Sequence, residues 1–142
     1  MMDLSEHLCF KMYAFSRYMT ALYKPYLDEI SLTYPQYLVM VVLWENDAVS
    51  IGKIGEQLHL DNGTLTPLLK RMEKNGLLSR TRSNKDERIV LITLTEKGKS
   101  LKSKTQHIPE EVQKCIHINR DTKAQLMKIF DEMVLNQPQI QR

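Results

Sequence analysis

The stretch IGKIGEQLHLDNGTLTPLLKRMEKNGLLSRTRSNKDERIVLITLTEKG, residues 51–98, changes its hydrophobic period part-way along. Its first half has the apolar spacing of two short amphipathic helices. Ser50 is a suitable N-cap for the first helix, and the second starts between Asp61 and Thr64. Gly76 predicts a C-terminal stop in the left-handed conformation. The segments LLSRTR, SNKDE and RIVLITL that follow predict a strand, a turn and a second strand.

Two short helices followed by a basic hairpin are the parts of a winged helix-turn-helix, whose second helix can enter the major groove of double-stranded DNA. Pro67 favours a late start for this second helix, because a proline in the first turn has no intrahelical hydrogen bond to lose. The apolar face of the helix consists of Leu65, Leu68, Leu69 and Met72. The outward residues, which we expect to contact DNA, are Asn62, Thr64, Thr66, Lys70, Arg71 and Lys74.

The positive charge of the chain is concentrated in residues 70–88. This segment has seven basic and three acidic residues, a net charge of +4, whereas the rest of the chain has 13 basic and 14 acidic residues. Such a local excess is typical of a surface that binds a polyanion. The basic residues of the hairpin are Arg80, Arg82, Lys85 and Arg88. By its position, Arg88 is the best candidate to probe the minor groove.

The segments on either side of this lobe predict further helices. The N-terminal helix has an apolar stripe, can be capped by Asp3 or Ser5, and is disturbed or ended by Pro25. QYLVMVVLWE predicts a core helix, and NDAVS a loop. After the hairpin we expect one helix with a bend at Pro109, and then a final helix. The predicted fold is mainly α with a small β-hairpin, in a single domain over residues 1–142.

The bulk properties exclude several classes of protein. No apolar run reaches the roughly 18 residues that a membrane span needs, and no signal peptide is evident, so we expect a cytoplasmic protein. The four histidines and two cysteines do not have zinc-ligand spacing. There is no glycine-rich phosphate loop and no nucleophile elbow. We therefore expect no metal, no cofactor and no enzyme active site.

The segment DERIVLITLT, residues 86–95, resembles the D-x-R-x-x-x-L-x-L-T element in the wing of the MarR family of transcriptional regulators. Ile92 stands at the position of the first leucine, and the matching residues are Asp86, Arg88, Leu94 and Thr95. The resemblance implies a homodimer that binds a pseudo-palindromic operator, with an Asp86–Arg88 salt bridge shaping the wing. It implies a winged helix-turn-helix lobe over residues 50–95, and dimerisation helices over residues 1–30 and 96–142.

The N-terminal segment LCFKMYAFSRYMTALYKPYLDEISLTYPQYL is similar to the OhrR branch of this family, the repressors that sense organic hydroperoxides. The resemblance makes Cys9 the peroxidatic cysteine, with Tyr13 and Tyr23 as its partner tyrosines. Cys9 and Tyr13 share a helix face, where a phenol can donate a hydrogen bond to a thiolate. Tyr23 would lie roughly 21 Å from Cys9 along one straight helix, so it could contact only the Cys9 of a partner chain.

Cys115 leaves two routes open for the oxidised sensor. In some members of the branch a second cysteine in this region closes an intersubunit disulfide, which here would join Cys9 to Cys115. Other members form a mixed disulfide with a low-molecular-weight thiol, and Cys115 could equally be a small apolar filler. The alternatives for the whole protein are a MarR-type regulator controlled by a non-covalent small-molecule ligand, a thiol peroxidase and a purely structural interaction domain.

Overall fold

The computed structural model of the protein describes residues 3–135. The dimerisation segments predicted at 1–30 and 96–142 extend beyond this range, so residues 1–2 and 136–142 lie outside the described part of the chain. Two compact units are present, and the boundary between them falls after Pro109 in the sequence. Within residues 3–135, no helix is both long enough and apolar enough to cross a membrane.

The described chain is mainly helical with one small antiparallel sheet, as the sequence predicts. The sheet has the strand order β1-β3-β2. The elements are a short 3-10 helix at Leu4–Glu6, α1 Leu8–Asp28, α2 Tyr34–Glu45, β1 Val49–Ser50, α3 Ile51–Leu58, α4 Asn62–Lys74, β2 Leu78–Arg82, β3 Val90–Leu94, α5 Glu96–Thr105, α6 Ile108–Cys115 and α7 Arg120–Leu135.

The first long helix is more continuous than predicted. Pro25 lies inside α1, which continues to Asp28. A proline inside a helix loses its amide hydrogen bond and crowds the preceding turn, but the burial of Leu27, which is 2% exposed, holds the last turn in place. The predicted cap is also wrong for α1. Asp3 instead caps the preceding 3-10 helix by accepting a hydrogen bond from the Ser5 amide at 2.9 Å.

The predicted core helix is confirmed as α2. A capping box starts it: the Thr33 hydroxyl accepts from the Gln36 amide, and the Gln36 side chain accepts from the Thr33 amide. Val39 and Met40 are completely buried. The helix ends at Glu45, and a strand that the sequence did not predict begins at Val49.

That strand, β1, corrects the prediction of a loop at NDAVS. Val49 pairs with Ile92, and Ser50 pairs with Leu91. A two-residue strand is too short to show an alternating pattern, and it forms because β3 offers a free edge more than 40 residues further along the chain. Ser50 then caps α3 by accepting a hydrogen bond from the Lys53 amide, as predicted.

The helix that the sequence predicts to enter the major groove, which we call the recognition helix, is α4, and it starts at the early end of its predicted range. The Asp61 carboxylate accepts a hydrogen bond from the Thr64 amide at 2.8 Å, so Pro67 falls inside the helix rather than in its first turn. The cap at Asp61 thus outweighs the preference of proline for the first turn. The predicted stop is confirmed: Gly76 has φ +72°, in the left-handed region that glycine adopts without strain.

Pro109 separates two helices rather than bending one. α5 ends at Thr105, and α6 begins at Ile108 with Pro109 as its second residue. A proline in the first turn of a helix has no intrahelical amide bond to lose, so it favours a new start at this place.

Gly98 is the position where an added methyl group should be most harmful. A Cβ at Gly98 would lie 2.1 Å from the Leu77 carbonyl oxygen, whereas a Cβ at Gly52 meets nothing within 4 Å. We expect Gly98→Ala to lower the free energy of unfolding by about 2–3 kcal/mol. The matched Gly52→Ala change should be neutral or stabilise helix α3 by up to roughly 1 kcal/mol. Urea unfolding at one protein concentration measures both, and equal values for the two variants would contradict this packing.

Candidate functional site

The outward face of α4 is available for contact with DNA. The inward residues of the predicted apolar face are all buried, and Leu65, Leu69 and Met72 are completely so. Of the six residues predicted to contact DNA, Thr66 is half-buried, and the other five are exposed: Asn62, Thr64, Lys70, Arg71 and Lys74. Short hydrogen-bonding groups therefore occupy the start of the helix, and the three cations lie towards its end, where they suit phosphate contact.

The wing is the loop between β2 and β3, residues 83–89. Its turn is closed by hydrogen bonds from the Ser83 amide to the Ile89 carbonyl and from the Ile89 amide to the Asp86 carbonyl. The Asp86 carboxylate accepts the Arg88 amide at 3.0 Å, while the Arg88 Nε lies 3.9 Å from the same oxygen. Asp86 thus holds the backbone of the wing. The Arg88 side chain is 95% exposed, so the weak ion pair leaves it able to reach a DNA groove.

A cleft of about 340 Å³ joins the wing to the recognition helix. It is lined by residues from the start of α3, the start of α4 and the wing, among them Gly52, Asn62, Thr66 and Arg88. The structure therefore brings the predicted groove-reading residues of α4 and the predicted minor-groove probe to one surface.

The three remaining basic residues of the hairpin differ in their exposure to solvent. Arg82 and Lys85 are exposed. Arg80 is half-buried, and its Nε has no hydrogen-bond partner within residues 3–135. The backbone amide of Arg80 donates to the Glu73 carboxylate at 3.0 Å, which ties β2 to the last turn of α4. Arg80 is therefore less available to DNA than its neighbours.

Both cysteines are free thiols at the surface of the chain. Cys9 lies in the first turn of α1, and Tyr13 follows one turn later with 57% of its surface exposed. The Arg17 guanidinium donates a hydrogen bond from Nη1 to the Tyr13 hydroxyl at 3.1 Å. Cys115 is the last residue of α6, after Lys114, which pairs with Glu111 at 2.7 Å.

Tyr23 lies in an aromatic cluster that the sequence did not reveal. Its ring centroid is 4.9 Å from that of Tyr34 and 5.7 Å from that of Tyr37. Tyr37 in turn lies 6.2 Å from Trp44 at the other end of α2. The spacing of Tyr34, Tyr37 and Trp44 on one helix was the available signal, because residues three and seven apart share a helix face.

Burial raises the pKa of all three tyrosines of the cluster. For Tyr23 the cause is burial alone, and for Tyr34 the nearby Tyr23 adds to it. Burial and the two neighbouring phenols raise the pKa of Tyr37 to about 12. All three phenols therefore keep their protons at neutral pH, and a protonated phenol can donate a hydrogen bond.

Hydrogen bonds connect this cluster to the end of the recognition helix. The Trp44 Nε1 donates to the Gly98 carbonyl at 3.0 Å. The Gly98 amide donates to the Thr95 hydroxyl oxygen at 3.1 Å, and that hydroxyl donates to the Gly76 carbonyl at 2.6 Å. Gly76 is the residue that terminates α4. One continuous set of contacts thus runs from Tyr23 to the C-terminal end of α4.

Comparison with known proteins places the chain in a family. Residues 21–105 match the family model described as transcriptional regulator SarA/Rot. Over 108 residues the chain is 57% identical to the organic hydroperoxide resistance transcriptional regulator of Bacillus subtilis, a match that covers 76% of this chain and 74% of that protein. The chain belongs to the OhrR branch of the MarR family.

Solved structures of another regulator are similar to this MarR-family chain. Reduced AbfR bound to DNA has a TM-score of 0.75 and 34% identity, covering 92% of this chain and 91% of that one. Disulfide-formed AbfR has a TM-score of 0.65 and 33% identity, covering 92% of each chain. AbfR comes from Staphylococcus epidermidis. The chain therefore shares its fold with a regulator whose solved structures include a DNA-bound reduced form and a disulfide form.

The raised pKa of Tyr37 predicts a loss of stability in alkali. Between about pH 10 and 12 the folded protein keeps the Tyr37 proton while the unfolded chain releases it, so stability falls as pH rises. The contribution of the Tyr37 proton to the free energy of unfolding is complete below about pH 10, and its size is on the order of 2 kcal/mol. Urea unfolding at intervals across this pH range measures the slope of the free energy of unfolding against pH.

In that experiment, Tyr37→Phe should flatten the slope. Tyr26→Phe is the matched control, because the Tyr26 ring contacts His107 rather than the cluster. Equal slopes for the two variants would show that Tyr37 does not carry the effect.

Proposed function

We propose that the protein is a homodimeric, redox-sensing transcriptional repressor that leaves its operator when an organic hydroperoxide oxidises Cys9. The observation that carries this proposal is the 57% identity to a hydroperoxide resistance regulator in a chain whose Cys9 is an exposed thiol. The basic face formed by α4 and the wing would bind double-stranded DNA. A thiol peroxidase would leave that face without a purpose, so the proposal is a regulator and not an enzyme.

The exposed apolar surface of α1 supports dimerisation. Large apolar side chains are exposed to solvent along the first half of α1: Leu8, Phe10, Met12, Tyr13, Phe15 and Tyr18. Contiguous apolar surface of this kind marks an interaction site. We assign the N-terminal segment 1–30 and the C-terminal segment 96–142 to pairing with a second copy, which would set the spacing of two α4 helices on a pseudo-palindromic operator.

The dimer would also complete the sensor. Tyr13 would donate to the thiolate of Cys9 on its own helix, and Tyr23 would donate from the partner chain. Tyr34, whose ring contacts that of Tyr23, adds a third phenol to the same place. Hydrogen bonds to a thiolate favour the charged form, which is the form that attacks peroxides.

The chemistry at Cys9 has two steps. The thiolate sulfur attacks the peroxide O–O bond, an S–O bond forms, and the alkoxide leaves as an alcohol after taking a proton. Cys9 is then a sulfenic acid. In the second step the Cys115 thiol of the partner chain attacks this sulfur, a disulfide forms and water leaves. A low-molecular-weight thiol could attack the sulfenic acid in the same way, giving a mixed disulfide and water.

The structural effect of Cys9 oxidation would be transmitted to the DNA-binding face through the contacts that begin at Tyr23. A change at Tyr23 would move Tyr37 and Trp44, and the bonds from Trp44 to Gly98 and from Thr95 to Gly76 would carry it to the end of α4. The reduced dimer would favour the operator spacing, and the oxidised dimer a spacing that does not fit.

A regulator controlled by a non-covalent ligand is the alternative within the family. A cleft of about 240 Å³ lies between α1 and the start of α2, lined by residues that include Thr20, Leu32 and Tyr34. The following experiment separates it from the redox mechanism.

Operator binding before and after one equivalent of cumene hydroperoxide tests the proposed function. We expect oxidation to weaken binding by the wild-type protein about tenfold or more, and Cys9→Ser to bind equally with and without peroxide. Release of the Cys9→Ser protein by peroxide would contradict the proposal.

Non-reducing gels of the wild-type and Cys115→Ser proteins, each treated with cumene hydroperoxide, test the role of Cys115. The oxidised wild-type protein should run as a covalent dimer, and Cys115→Ser as a monomer. A wild-type protein that remains monomeric after oxidation would exclude the Cys9–Cys115 disulfide and leave the small-thiol route.

Trp44→Phe tests the connection to α4. Phenylalanine keeps the ring contact with Tyr37 but loses the hydrogen bond to the Gly98 carbonyl. We expect Cys9 to oxidise at its normal rate while the ratio of reduced to oxidised operator affinity falls about threefold or more. Lys102→Met is the control, because it removes only the neighbouring bond to the Trp44 carbonyl. An unchanged ratio in Trp44→Phe would exclude this route.

A further inference from the structure

Three side chains follow one another along an exposed face of α1. Cys9, Tyr13 and Arg17 are each four residues apart, and all three are exposed. Residues at this spacing are neighbours on a helix surface. The sequence pattern indicated a role for the first two. Arg17 has no part in DNA binding or in the oxidation steps described above.

The contact between Arg17 and Tyr13 has a defined direction. The Arg17 Nη1 lies 3.1 Å from the Tyr13 hydroxyl oxygen, and its Cζ lies 5.7 Å from the centre of the Tyr13 ring. A guanidinium only donates hydrogen bonds and stays charged at every relevant pH. The Tyr13 oxygen is therefore the acceptor, and the hydroxyl hydrogen must point away from Arg17.

Along α1, Cys9 lies on the side of Tyr13 that is opposite to Arg17. Long side chains on an α-helix lean towards its N-terminus, so Arg17 lies over Tyr13, and Tyr13 leans towards Cys9. A hydroxyl that already accepts a hydrogen bond is also a stronger donor, because linked hydrogen bonds polarise one another.

We propose that Arg17 is a positioning residue of the thiol sensor, which orients and polarises the Tyr13 hydroxyl so that it donates to the Cys9 thiolate. This inference rests on the proposed role of Cys9 as the reactive thiol. Arg17 acts through Tyr13 and does not touch the sulfur or the peroxide. The other titratable groups near Cys9 in the sequence, Glu6, His7 and Lys11, make no hydrogen bond to Tyr13 among the described residues.

The test is the rate of Cys9 oxidation by cumene hydroperoxide, measured on the full-length dimer as a function of pH. We expect Arg17→Met to slow oxidation at pH 7 by about three- to tenfold and to move the rate profile to higher pH, because a weaker donor leaves less thiolate. Arg17→Lys, which keeps a charged donor, should recover most of the rate.

Two comparisons separate the route through Tyr13 from a general charge effect. Lys11→Met removes a cation closer to Cys9 in the sequence but on another face of α1, and it should change the rate by less than about twofold. Tyr13→Phe should slow oxidation, and adding Arg17→Met to it should slow the reaction no further.

The inference is overturned if Arg17→Met oxidises at the wild-type rate, if Lys11→Met slows oxidation equally, or if Arg17→Met has its full effect in the Tyr13→Phe background. Cys9→Ser distinguishes these outcomes from failure of the proposed function. If peroxide still releases the Cys9→Ser protein from the operator, the sensor itself is wrong. If that variant is unresponsive while Arg17→Met oxidises normally, only the role of Arg17 fails.

Discussion

The unbroken helix from Leu8 to Asp28 is the constraint on which the proposed sensor depends. At about 1.5 Å per residue, it keeps Cys9 and Tyr23 roughly 21 Å apart in one chain. A kink at Pro25 would not change this distance, because both residues precede it. The two groups can meet only when a second chain supplies one of them. The same helix exposes a row of apolar side chains that a second chain would cover. In the proposed sensor, dimerisation and thiol activation would therefore depend on one element, helix α1.

In the proposed mechanism, transmission to DNA would depend on how tightly Trp44 of α2 holds the start of α5, and on how tightly Thr95 holds the end of α4. The close approach of Gly98 to the Leu77 carbonyl leaves no room for adjustment. The Thr95 hydroxyl bonds directly to the residue that ends α4. Packed interfaces of this kind tend to shift between discrete arrangements rather than deform gradually. A small displacement of the tyrosine cluster can then become a change in the angle at which α4 is presented.

The sequence predicted what depends on local pattern, and missed what depends on distant contacts. The buried face of α4, the stop at Gly76 and the Ser50 cap follow from residues within a few positions of each other, and all three predictions were correct. Strand β1 needed a partner more than 40 residues away, and the cluster around Tyr23 needed the packing of α1 on α2. Pro25 and Pro67 were misjudged because tertiary packing and a strong cap outweighed a local preference. The roles of Cys9, Cys115 and Tyr23 remain predictions.

A complementation experiment tests the two-chain sensor most directly. In a heterodimer of one Cys9→Ser chain and one Tyr23→Phe chain, the single remaining Cys9 faces an intact Tyr23 only if the tyrosine comes from the partner. The account predicts that this Cys9 reacts with cumene hydroperoxide at the wild-type rate per thiol. Reaction at the slower rate of the Tyr23→Phe homodimer would contradict it, because Tyr23 would then act within its own chain or not at the thiol.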